Sequence, residues 1–178
     1  VQHHRAHLLS VLAEHGWAVW LETGGRHILF DTGQSDVLTR NAAALGVPLD
    51  RVDAVVLSHG HYDHGGGLTA LLGQVQRPPP VYAHPAALRP RFHRTPEAVR
   101  EIGLPAPVVA ALGALGAGFR SVTAPTEIAP GVWLTGPIPR RHAAEAPVPG
   151  FCLDPEGGKE DPFADDLALF VRTLQGTV

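Results

Sequence analysis

Methionine is absent from the 178 residues, and cysteine occurs once, as Cys152. A single cysteine excludes a disulfide framework within the chain and fits a reduced, cytoplasmic protein with one small, semi-buried thiol. Aromatic residues make up only 6%. No apolar run approaches the ~20 residues that a membrane-spanning helix needs, so no membrane segment is expected. Val1 to Leu12 do not read as a signal peptide either, because His3, His4, Arg5 and His7 crowd the start and no clear cleavage site follows. A dominant charge is also missing. The net charge is -3 with histidine neutral, so nothing points to a nucleic-acid-binding surface. A small-molecule substrate is the expected partner, and an anionic one is still compatible through metal ions or a few arginines.

What is present is globular: 44% hydrophobic and 17% charged residues, with 20 Gly and 17 Pro, a glycine and proline load below the roughly 25–30% of low-complexity chains. The length suits one domain with a proper core. The ends read as cut. The chain starts on Val1, and Asp166-Leu-Ala-Leu-Phe-Val-Arg-Thr-Leu-Gln-Gly-Thr-Val178 reads as a strand, a Gln175-Gly176 turn and the first residues of a returning strand. The expectation is a single domain over residues 1–178 that lacks its C-terminal part.

Trp17 to Glu22 and Arg26 to Asp31 flank Thr23-Gly24-Gly25 as a hairpin. Ser35 can cap a helix running to about Leu45, stopped by Gly46. Asp53 to Ser58 is a continuous apolar run that suits a strand buried on both faces. Leu68 to Leu72, Pro85 to Arg89 and Pro107 to Leu115 read as helical, with irregular chain between the last two. Val81 to Ala83, Phe119 to Thr123, Glu127-Ile128 and Val132 to Thr135 read as strands, and residues 136–165 as a long surface loop. Strands alternating with helices, then hairpins, argue for a mixed α/β (α+β) domain. Trp17, Trp20 and Trp133 are most simply core residues.

The decisive segment is Ser58-His59-Gly60-His61-Tyr62-Asp63-His64-Gly65-Gly66-Gly67, with four potential metal ligands in six residues. His59 and His61, two apart in extended chain, project to the same side and can share one ion. Asp63 and His64 follow where the chain must turn and can aim at a second ion. The glycines are expected to supply the backbone angles for that crowding. Imidazole plus carboxylate suits zinc (Zn2+), with Mn2+ or Fe2+ as alternatives. Without a metal, three imidazoles and a carboxylate at the end of a buried strand would need other polar partners. The lone-histidine reading applies to His3, His4 and His7, taken as a solvated start of the chain.

The segment is the signature motif of the metallo-β-lactamase superfamily, which the chain resembles. Ile28-Leu29-Phe30-Asp31-Thr32-Gly33 resembles that superfamily's upstream strand and its Asp-Thr-Gly turn. Glu14-His15-Gly16, Phe30-Asp-Thr-Gly-Gln34, Val55-Val-Leu-Ser-His-Gly-His-Tyr-Asp-His-Gly-Gly66, Thr135-Gly-Pro-Ile-Pro-Arg140 and Asp165-Asp166-Leu-Ala-Leu169 resemble the dihydropterin-ribofuranosyl-aminobenzene-phosphate synthase-like branch. The resemblance runs from about Glu14 to the last residue. It implies a four-layer αβ/βα sandwich with two metal sites between its sheets, His59 and His61 serving the first and Asp63 and His64 the second. It also implies two further histidines downstream, which His84, His93 and His142 do not match in context.

In such a site two metals lower the pKa of a shared water towards ~7. The resulting hydroxide attacks a carbonyl or phosphorus centre of an ester, lactone or phosphoester, with Asp63 orienting it or moving a proton. A flavodiiron-type redox site fits less well, because that branch places a Glu where this chain has His61. Asp31 is read in two ways, as an acceptor that holds a ligand imidazole in one tautomer or as a turn aspartate bonded to local amides. Glu14 and His15 either line the pocket or form a polar turn. Arg140, Arg141 and His142 read as a solvated loop before a phosphate site. The rivals to the hydrolase are a synthase acting on a phosphorylated pterin-type precursor and a metal-binding fragment without turnover.

Overall fold

The computed structural model describes residues 11–178 except Pro147. The His3, His4 and His7 cluster, and all but the end of the stretch weighed as a signal peptide, lie outside those residues.

The chain opens with a hairpin, β1 (Val19–Thr23) against β2 (Arg26–Phe30), in antiparallel register. Gly24 and Gly25 both sit at positive φ, as a tight turn between right-twisting strands requires. Helix α1 (Val37–Leu45) follows, with the Ser35 Oγ accepting from the Val37 amide and Gly46 closing it in the left-handed conformation. Next come β3 (Ala54–Val56), a single helical turn α2 (Tyr62–Gly65), α3 (Leu68–Leu72) and β4 (Val81–Ala83). The hairpin β5 (Phe92–Arg94) and β6 (Val99–Glu101) precedes α4 (Ala106–Ala114). Strands β7 (Phe119–Ser121), β8 (Thr126–Ala129), β9 (Val132–Leu134), β10 (Phe151–Cys152), β11 (Leu169–Thr173) and β12 (Gly176–Thr177) complete the order.

A five-stranded sheet runs β1-β2-β3-β4-β7, parallel except for the first hairpin. Strand β3 lies at its centre and is buried throughout. Its alternating side chains separate two cores. Val55, with Leu57 just beyond the strand, packs with Ala42, Leu71, Val108 and Leu112 from the helices. Ala54 and Val56 pack with Val132 and Leu134 from a second sheet, β12-β11-β9-β8, and with Leu167 just before β11. Burying each such Leu or Val contributes roughly 1.5–3 kcal/mol. The described residues thus supply a helix layer and two facing sheets, a mixed α/β architecture, and among them no helix is long and apolar enough to cross a membrane.

Three expectations change. The stretch between Arg89 and Pro105 is not irregular: β5 and β6 pair there, and β10 joins them as a third strand. Strand β6 is exposed throughout, so no apolar alternation marks it. The 136–165 stretch is not wholly a surface loop, since Cys152, Asp161 and Asp165 are buried. Trp17 is not a core residue. It is 52% exposed, and its indole N–H donates to Asp31 at 2.9 Å. Trp20 and Trp133 are half-buried.

Candidate metal centre

Strand β3 delivers the chain into Ser58, after which the backbone bends through Ser58, His59 and Gly60 and passes from an extended His61 into α2. The three imidazoles gather: His59 lies 4.5 Å from His61 and 4.2 Å from His64 between ring centroids. Asp63 Oδ2 lies 3.8 Å from His64 Nε2. His61 Nε2 is buried with no hydrogen-bond partner, an arrangement that disfavours a neutral polar atom unless something binds there.

The outer ring nitrogens of His59 and His64 are occupied. His64 Nδ1 is 2.8 Å from Asp31 Oδ2, a carboxylate that can only accept, so Nδ1 carries the proton and Nε2 faces the cluster with its lone pair when the ring is neutral. Ser58 Oγ lies 2.7 Å from Asp31 Oδ2 and 2.9 Å from His59 Nδ1. Its one proton goes to the carboxylate, so it accepts from His59 Nδ1 and leaves that Nε2 bare as well. Burial, then the neighbouring His61, His64 and Arg91, push His59 down to about 2. Burial and Arg91 push His61 down to about 4. Burial alone would lower His64, but the hydrogen bond and charge of Asp31 outweigh it, so its pKa is raised. A neutral imidazole with its outer nitrogen held, as at His59, is the ligand form for a divalent cation, and with the bare Nε2 of His61 beside it this donor set fits one. Among the described residues, no three such side chains already surround a single metal position.

Asp31 is buried, sits at φ 60° and accepts four hydrogen bonds, from Trp17 Nε1, the Ser58 amide, Ser58 Oγ and His64. Its partners are distant in sequence rather than local turn amides. The glycines of the motif act differently from the sequence expectation. Gly60, Gly65, Gly66 and Gly67 are not among the positive-φ glycines. They are small because neighbours crowd them: a Cβ on Gly60 would lie 2.1 Å from the Ala87 carbonyl oxygen, and one on Gly67 2.1 Å from that of Thr32.

A second brace escaped sequence reasoning. Arg91 is 1% exposed and pairs with Asp161 at 2.7 Å and Asp165 at 2.5 Å. Asp165 Oδ2 accepts the Gly60 amide at 2.7 Å, while Arg91 Nη1 reaches the Gly60 carbonyl at 3.5 Å. The peptide between His59 and His61 is therefore held at both its N–H and its C=O. Only the resemblance singled out Asp165. Arg91 and Asp161 carry no local signal, because the arginine meets its carboxylates across 70 or more residues.

The weaker candidates divide. Glu14 accepts from the Gln34 and Ser35 amides at 2.9 and 3.3 Å, tying the Asp-Thr-Gly turn. His15 Nε2 lies 3.3 Å from Asp63 Oδ2. His84 accepts from the Ala86 amide and caps a short turn. Arg141 and His142 are exposed, and their amides bond Glu145. Arg140 instead lines a cavity of about 350 Å³ with His59, His61, Phe151, Phe163 and Asp166. The phenylalanines were not expected there.

The sequence profile described as "Metallo-beta-lactamase superfamily" matches residues 12–156. A Methanocaldococcus jannaschii protein named 7,8-dihydropterin-6-methyl-4-(beta-D-ribofuranosyl)-aminobenzene-5'-phosphate synthase is 28% identical over 71% of this chain and 45% of its own length. The solved structure of Tm1679, described as a metal-dependent hydrolase of the beta-lactamase superfamily, superposes with a TM-score of 0.70 at 30% identity, over 94% of this chain and 58% of that one. A quorum-quenching N-acyl homoserine lactone lactonase shares the fold, with a TM-score of 0.56 at 21% identity over 90% of this chain and 57% of that one. The chain thus spans about half the length of the proteins it matches.

Proposed function

Because this chain belongs to the metallo-beta-lactamase superfamily, we propose that it forms the metal-binding part of a metal-dependent hydrolase acting on an ester, lactone or phosphoester. The observation that carries the reading is the buried, unpartnered His61 Nε2 beside His59 and His64. His59 and His61 are the ligands of one ion, and Asp63 and His64 of a second, with zinc the first choice and manganese or iron the alternatives. When bound, the ions supply Lewis acidity towards a substrate oxygen and acidify water. Asp63 accepts a proton from the attacking water at its carboxylate. Asp31 fixes the His64 ring, Ser58 fixes the His59 ring, and Asp165 with Arg91 fixes the peptide between His59 and His61. Residues 1–178 are one part of a longer unit, a reading that the partial coverage of the matched proteins supports.

A synthase on a phosphorylated pterin-type precursor is the second reading, favoured by the Methanocaldococcus jannaschii relative. The experiment is metal analysis of the chain and of the longer gene product, followed by assays on phosphodiester and lactone test compounds with and without zinc. Zinc-dependent turnover of either compound supports the hydrolase. Turnover of a pterin precursor alone replaces it with the synthase. Bound zinc with no turnover of any compound leaves a metal-binding protein and removes both.

A further inference from the structure

The cavity beside His59 and His61 has a composition that points to its occupant. One wall is aromatic. Phe163 lies 5.8 Å from His61 and 5.5 Å from Phe151, which is itself stacked on His61 at 5.8 Å. Phe163 holds φ 51°, a left-handed conformation that large side chains avoid and that tends to persist where surrounding structure enforces it. The enforcement is visible: the Phe163 amide donates to Asp161 Oδ1 at 2.8 Å, and Asp161 is anchored by the buried Arg91. The braced turn projects the ring between His61 and Arg140.

Arg140 supplies the fixed positive charge of the lining. Its guanidinium lies 5.1 Å over the Phe163 ring, which holds its plane in place. One contact goes to the Glu145 carbonyl and one to Asp166 Oδ2, at 3.1 and 3.2 Å. Roughly three of its five N–H donors remain, on a side chain 30% exposed. A guanidinium preorganised in this way is suited to a carboxylate or phosphate. The cavity volume of about 350 Å³ is at the small end of ligand pockets, enough for one ring and its substituents.

We propose that this cavity is the substrate's recognition subsite and takes a flat apolar ring bearing an anionic group, with the ring along Phe163 and Phe151 and the anion on Arg140. The proposal rests on the metal-dependent reading above, and its test separates the two.

The probes are phenylphosphonate, whose one head group meets the metal side, and its 4-carboxy and 4-phosphonooxy derivatives, titrated calorimetrically into the zinc-loaded chain. The parent should prefer a 4-substituted probe by about tenfold, the worth of one charge-assisted hydrogen bond; the better of the two names the anion. Arg140→Gln should erase that preference without changing zinc content. Phe163→Gly relieves the backbone rather than straining it, and should weaken all three probes. No preference in the parent, or a preference that survives in Arg140→Gln, overturns the anion assignment. Unchanged affinities in Phe163→Gly overturn the ring assignment. If the chain takes up no zinc, the metal reading fails by itself. The subsite then stands or falls on whether 4-methylbenzoate shifts the NMR signals of Arg140 and Phe163 in the metal-free chain and leaves those of Phe163 unshifted in Arg140→Gln.

Discussion

Two carboxylates hold the His/Asp loop, and they grip it differently. Asp31 takes hold mainly of side chains, the His64 ring, the Ser58 hydroxyl and, from the surface, the Trp17 indole, with the Ser58 amide as its one backbone partner. Asp165 takes hold of backbone, through the Gly60 amide, and is neutralised by Arg91. The first sets which nitrogen of an imidazole faces the cluster. The second sets where the chain between two imidazoles runs. Losing the first should therefore be felt in metal affinity, and losing the second in folding.

The largest effect tests the backbone side. Arg91→Met leaves Asp161 and Asp165 buried without a counter-charge and should lower stability by about 3–5 kcal/mol, read by urea denaturation. A loss below about 1 kcal/mol would place the Gly60 grip outside the folding account. On the ring side, Asp31→Asn keeps the shape but weakens the acceptor at His64, and zinc affinity should fall about 10–100-fold, with a smaller change in unfolding midpoint than Arg91→Met gives. If Asp31→Asn unfolds the chain as readily as Arg91→Met, the division of labour is lost.

Two glycines sharpen the contrast further. A Cβ on Gly60 would strike the Ala87 oxygen at 2.1 Å and Arg91 Nη1 at 2.5 Å, whereas one on Gly113 in α4 meets nothing within 4 Å. Gly60→Ala should cost about 1–3 kcal/mol. Gly113→Ala should stabilise the helix by roughly 0.5–1 kcal/mol. Thermal melts of the pair check both signs. The smallest effect is expected for Trp17→Phe, which removes one half-exposed hydrogen bond to Asp31 and should cost no more than about 1 kcal/mol.

The same contrast explains what the sequence disclosed. Ala54-Val55-Val56 reads as a buried strand because its apolar residues are contiguous, and the His-x-His-x-Asp-His segment reads as a donor cluster because its spacing is local. The Gly24-Gly25 turn, α1 with its Gly46 stop, and the Thr126–Leu134 hairpin carry their signals within a few residues. Arg91, Asp161 and Asp165 do not. A charged side chain looks like a surface residue until its partner is known, and these partners meet only through the fold. Strands β5, β6 and β10 are short and β6 is exposed throughout, with nothing periodic to mark them. The motif's glycines were legible as glycines, but most of the neighbours that forbid a Cβ come from Thr32 to Ser35, Ala87 and Leu104, which only the packed structure brings close.

The central claim is that the converging imidazoles take up divalent metal, and zinc titration of the parent chain beside His61→Ala by equilibrium dialysis tests it most directly. The account predicts stable zinc uptake by the parent and a marked loss in the variant, with both chains folded by circular dichroism. Equal zinc content in the two would contradict it.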